Sequence, residues 1–179
     1  MQDIKDIRTE LKLLISSQDI QARISELAKQ ISNDFKNKPV TLIICLRGAI
    51  FFAVDLAKRL DIIFDMEFIQ MSNYGNNRES GQNIVIKKDL EKLNCEKNFI
   101  IVEDIIDTGH SLDFLVRHLK KFNPISISTC VLLDKPERRE IDINPDYYGF
   151  TVPNKFIVGY GLDYNNHFRN IDYIGYLDD

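Results

Sequence analysis

The chain has 179 residues, 44% hydrophobic and 28% charged, the size and balance of one soluble globular domain with a buried core. A formal net charge of −4 excludes general attraction to polyanions, so nucleic-acid binding is not expected and any phosphate needs a focused local site. No apolar run approaches the roughly 18 residues that span a bilayer, and MQDIKDIRTE has no signal core, so a cytoplasmic setting without a membrane partner is expected.

Taken in chain order, Ser16 or Ser17 caps a helix in which Ile20, Ile24, Leu27, Ala28 and Ile31 share one face. Val40 to Cys45 is a continuous apolar run, as in a strand buried on both faces, and it ends at Arg47-Gly48. Ala49 to Leu60 reads as a helix with Phe52, Leu56 and Leu60 on one side. Ile62 to Met71 reads as a strand, the polar stretch Ser72 to Gln82 as a loop, and Asn83 to Ile86 as a returning strand, together a hairpin or flap. Phe99 to Val102 is a second buried strand, Leu112 to Phe122 a helix, and Ile125 to Leu133 a third buried strand. From Tyr147 the tail mixes loops with short strands at Phe156–Tyr160 and Tyr173–Leu177.

No repeat or linker interrupts this order, so residues 1–179 read as a single domain. Cys45, Cys95 and Cys130 are odd in number and lack CxxC spacing, which favours buried thiols over disulfides or a metal cluster. Buried strands alternating with helices predict an α/β fold with a mostly parallel central sheet flanked by helices. Ligands in such sheets bind beyond the carboxyl ends of the strands, where the strand order switches. Leu46-Arg47-Gly48, Glu103 to Ser111 and Asp134-Lys135 stand at such ends and are expected to converge.

The most informative segment is Val102-Glu-Asp-Ile-Ile-Asp-Thr-Gly-His-Ser111, a strand running into a helix. Unpaired N–H groups at a helix start suit a phosphate dianion. Gly109 allows a close turn, and the Thr108 and Ser111 hydroxyls add donors. The acids make sense if they meet sugar hydroxyls or a metal ion. The spacing is that of neither a P-loop nor GxGxxG.

Val102 to Ser111 resembles the phosphoribosyl-diphosphate signature of the type I phosphoribosyltransferases, in the form used by those acting on hypoxanthine and guanine. The resemblance spans Ile20 to Arg169. It implies a small hood formed by the N- and C-terminal segments and a flexible flap. It implies further that Glu103 and Asp104 approach the ribose hydroxyls and help hold Mg²⁺. Asp107, Thr108, Gly109, His110 and Ser111 would hold the 5′-phosphate, and Asp107 would take the purine N7 proton. Neighbours in a regular strand face opposite ways, so Glu103 and Asp104 both reach the ribose only if the strand bends there. The His110 side chain is expected to face solvent.

By the same resemblance, Leu46, Arg47 and Gly48 hold pyrophosphate, with a non-proline cis peptide before Arg47. Ser72-Asn73-Tyr74-Gly75 corresponds to the flap, departing from the family at Asn73, where Ser is usual. Lys135 would donate to the purine O6, since an ammonium has donors only and leaves an adenine amino group unpaired. Phe156 would stack on the purine, the Ile157 backbone would meet its edge, Asp163 would coordinate a second Mg²⁺, and Arg169 would complete the pyrophosphate grip. The implied substrates are phosphoribosyl diphosphate and a 6-oxopurine, and the implied assembly is a homodimer or homotetramer. Two rivals are a xanthine- or guanine-preferring enzyme and a nucleotide-sensing RNA-binding regulator on the same fold. The regulator needs a basic face, for which the chain offers only Lys87-Lys88 and Arg138-Arg139.

Overall fold

Ser16 opens the first helix by accepting the Asp19 N–H at 3.1 Å in the computed structural model, which describes residues 10–73, 84–91 and 96–178. That helix, α1 (Ser17–Asp34), buries Ile20, Ile24, Leu27, Ala28 and Ile31, the stripe set by the 3.6-residue period. Ahead of it lies the short strand β1 (Lys12–Ile15). β2 (Val40–Leu46), α2 (Ile50–Ala57), β3 (Phe64–Asn73) and β4 (Ile84–Lys88) follow. Then come β5 (Asn98–Ile106), α3 (His110–Lys120), β6 (Ser126–Asp134), a one-turn 3-10 helix at Pro136–Arg138, β7 (Tyr147–Thr151), β8 (Phe156–Val158) and β9 (Ile174–Leu177).

The main sheet has the order β4-β3-β2-β5-β6-β7, parallel except for the β3–β4 pair. β2, β5 and β6 are the interior strands that the apolar runs announced, and residues such as Leu42, Ile100 and Leu132 are fully buried. A separate antiparallel sheet, β1-β9-β8, joins the two ends of the chain and forms the expected hood. The sheet order confirms an α/β fold with a mostly parallel sheet.

Two strands escaped the sequence reading. β1 pairs with β9, so its partner lies some 160 residues away in sequence (Lys12 opposite Tyr176), and Leu13 on it is 62% exposed. β7 is an edge strand beside β6, held by Arg23, whose guanidinium donates to Gly149 O and Tyr148 O. β5 also extends further than read, to Ile106, because its β6 partner continues beside it to Asp134. Cys45 and Cys130 are buried free thiols, while Cys95 lies outside the described residues.

β2 lies at the centre and is flanked by β3 on one side and β5 on the other, so the chain leaves it in opposite directions. This is the switch point at which a doubly wound sheet offers a crevice. The register shows how it opens. β2 and β5 pair only as far as Ile44 opposite Val102, whereas β2 stays with β3 to Leu46 and β5 stays with β6 to Ile106.

Candidate active site

Glu103 and Asp104 stand where β5 loses β2 as a neighbour. The strand does not end there; instead the side chains fold back. Glu103 Oε1 accepts the Asp104 N–H at 3.3 Å, and Asp104 Oδ1 accepts the Ile105 N–H at 2.9 Å. Both carboxylates therefore line one lobe of a cleft despite strand alternation. Burial pushes the Glu103 carboxyl well above the ordinary carboxylate range and the Asp104 charge adds to it; burial raises Asp104 as well. Two crowded carboxylates with hard oxygen donors fit a divalent cation, which would let both ionise. Among the described residues no group of three His, Cys, Asp or Glu side chains forms a metal cage, so such a cation must take further ligands from substrate and water.

The backbone then bends through Asp107 and Thr108 to Gly109, which starts α3 with φ +93° and no side-chain cap. The first-turn N–H groups have no partner within the helix, and Asp107, Thr108, Gly109 and Ser111 line a lobe of about 320 Å³. The turn is braced from behind, since Thr108 O accepts the Glu140 and Ile141 N–H groups at 3.0 and 3.3 Å. His110 is not free in solvent: its Nε2 lies 2.9 Å from Glu140 Oε2, and it does not line the lobe.

Leu46–Arg47 is a cis peptide, as the resemblance implied. Gly48 is where three segments meet. A Cβ there would stand 1.5 Å from Asp104 Oδ2, and one on Gly161 would stand 2.0 Å from Gly48 O, so only the absence of side chains lets the end of β2 touch both β5 and the tail. Leu46 lines that first lobe, and Arg47 is exposed. Ser72 also lines that lobe, and Asn73 ends β3, while Tyr74 and Gly75 lie outside the described residues.

A second lobe of about 540 Å³ is lined by Lys135, Arg138, Phe156, Ile157 and Asp163, and it shares Asp104, Ile105 and Asp107 with the first. Lys135 is buried and its Nζ donates to Lys155 O at 2.7 Å, leaving two ammonium protons for a ligand. Burial lowers the Lys135 pKa, against the pull of Asp107. The Phe156 ring is half-exposed, lines this lobe and packs T-shaped against Tyr164 with centroids 5.7 Å apart. Asp163 and Arg169 pair with each other at 2.5 Å, and Arg169 also donates to Gly161 O.

Sequence reasoning missed Arg138 and Arg139, which it read only as a small basic cluster. Arg139 pairs with Asp134 behind Gly109, and Arg138 Nε lies 3.1 Å from Asp107 Oδ1. Lys88 donates to Phe68 O. Among the described residues, both arginines and this lysine thus have partners within the fold.

Comparison with known proteins agrees with this geometry. Residues 14–165 match the phosphoribosyl transferase domain family. The chain is 42% identical over 167 residues to a hypoxanthine phosphoribosyltransferase of Buchnera aphidicola subsp. Schizaphis graminum, covering 92% of this chain and 94% of that protein. It is 40% identical over 178 residues to a hypoxanthine-guanine phosphoribosyltransferase of Aquifex aeolicus, covering 98% and 100%. The crystal structure of a hypoxanthine phosphoribosyltransferase from Staphylococcus aureus superposes with a TM-score of 0.91 at 36% identity, covering 99% of this chain and 97% of that one. With a matching domain over most of its length, the fold of its relatives and a two-lobed cleft at the sheet's switch point, the chain belongs to the phosphoribosyltransferase family.

Proposed function

We propose that residues 1–179 act as one domain that transfers the 5-phosphoribosyl group of phosphoribosyl diphosphate to N9 of hypoxanthine and guanine, giving IMP or GMP and pyrophosphate. One geometric fact carries this reading: a helix-start lobe suited to a phosphate and a lobe suited to an oxopurine share Asp104, Ile105 and Asp107.

The first turn of α3, with Asp107 to Ser111, holds the 5′-phosphate, and Glu103 and Asp104 take the ribose hydroxyls. Lys135 donates to O6, Phe156 stacks on the ring and Ile157 meets its edge. This geometry brings N9 to the anomeric carbon as Asp107 accepts the N7 proton. Leu46, Arg47, Gly48 and Arg169 hold the leaving pyrophosphate. Mg²⁺, held through Glu103 and Asp104 and a second ion through Asp163, supplies neutralisation of the pyrophosphate charge. The enzyme works in the reduced cytoplasm, in keeping with its free Cys45 and Cys130. It assembles as a homodimer or homotetramer, for which Ile50, Phe51 and Val54 on α2 offer an exposed apolar face.

The test is pyrophosphate release with Mg²⁺, phosphoribosyl diphosphate and hypoxanthine, guanine, xanthine or adenine in parallel. Hypoxanthine and guanine are expected to turn over and adenine is not, because the Lys135 ammonium would face adenine's amino group. Preference for adenine, or no release with any base, would overturn the proposal.

A further inference from the structure

We propose that Arg138 is a positioning residue for Asp107, covering one of its carboxylate oxygens so that the other faces the bound purine. This inference rests on the reading of Asp107 as proton acceptor and extends it to a residue that a count of charges leaves on the surface.

The backbone around Asp107 is clasped on both sides by the segment that carries Arg138. Lys135 N–H donates to Ile106 O at 3.0 Å just before Asp107, and Glu140 N–H donates to Thr108 O at 3.0 Å just after it. Between these anchors the chain forms the single 3-10 turn Pro136–Arg138, where Pro136 presets the first φ and the Arg138 N–H donates to Lys135 O. Asp107 and Arg138 are thus set opposite each other by a short, doubly anchored loop. Arg139 is directed away, to Asp134.

The side chains meet with Arg138 Nε 3.1 Å from Asp107 Oδ1. That oxygen is buried and receives no well-aligned hydrogen bond, although the Asp107 side chain as a whole is 40% exposed. The accessible part of the carboxyl therefore lies on the Oδ2 side. Both residues line the base lobe together with Lys135. An ion pair this exposed is screened and adds little to stability. Its effect is orientational: a carboxylate with one oxygen occupied by a guanidinium presents the other in a defined direction, and general-base catalysis depends on such alignment.

A double-mutant cycle on the full chain tests this. Arg138→Gln is expected to lower kcat about tenfold while the KM for phosphoribosyl diphosphate stays within about twofold, and Arg138→Lys to recover part of the loss. Asp107→Asn alone is expected to lower kcat by about 10²–10⁴. Adding Arg138→Gln to it should then change nothing further, since there is no carboxylate left to orient. An equal loss from Arg138→Gln in both backgrounds, or no loss in either, would overturn the role of Arg138. Near-normal turnover of Asp107→Asn would instead sink the reading of Asp107 on which it rests, so the two failures are distinguishable.

Discussion

Glu103, proposed above to meet the ribose hydroxyls and a cation, works against the fold that carries it. Burial and the neighbouring Asp104 raise its carboxyl, so the folded state favours the protonated form. Stability from this source is fully present below the unfolded Glu value of about 4.3 and is lost as pH rises through the higher folded value. Glu103→Gln is therefore expected to melt at a higher temperature than the parent at pH 7 and at no higher temperature at pH 4, while its KM for phosphoribosyl diphosphate rises. Thermal scans at the two pH values, with steady-state kinetics, check both halves. Gly48 is constrained in the opposite sense, by lack of room. Because a Cβ would collide with Asp104, Gly48→Ala must displace that carboxylate and is expected to cost about 10²-fold in kcat/KM, on the scale of a misplacement of about 1 Å. Wild-type kinetics in that variant would show that Asp104 is not held by Gly48.

At the level of elements, the site depends on α2 and the tail staying in register behind it. Tyr160 OH donates to Asp55 Oδ2 at 2.6 Å, Gln21 Nε2 donates to the same oxygen at 2.8 Å, and Arg59 bonds Gln21 Oε1, which ties α1, α2 and the loop before Gly161 together. Burial alone would raise the Asp55 carboxyl, but these two donors and Arg59 outweigh it and hold it below the ordinary range. A depressed carboxylate contributes stability above its unfolded value of about 3.9, and that stability is lost as pH falls through the lower folded value. Asp55→Asn is expected to destabilise the protein by on the order of 1.5 kcal/mol at neutral pH, with the gap to the parent closing below about pH 4. Urea midpoints at pH 7 and pH 3 measure it. The helices themselves were readable because their signals are local: the Ser16 cap, the apolar stripe of α1, and Leu112, Leu115 and Leu119 on α3 all lie within a few turns. β1 was not readable, because Leu11-Lys12-Leu13-Leu14 has no pattern until β9 arrives to pair with it.

Across the whole molecule the core is apolar, built from the interior strands β2, β5 and β6 and the buried stripes of α1, α2 and α3. The side chains proposed to hold the cation, Glu103, Asp104 and Asp163, stand outside that buried cluster. A chelator is expected to abolish pyrophosphate release while leaving the melting temperature of the ligand-free protein unchanged, and a fall of several degrees on chelation would contradict that separation. By itself the sequence determined the class of fold, the three buried strands and the strand-to-helix segment proposed to grip a sugar phosphate. Apolar runs, a glycine at a helix start and paired acids act over a few residues and leave their mark locally. Only the tertiary structure decided that β2 and β5 part after Ile44 and Val102, that Gly48 is pinched between Asp104 and Gly161, and that Arg138 covers Asp107. Those contacts join segments up to more than a hundred residues apart, and nothing in the short-range chemistry of either partner encodes the distance between them.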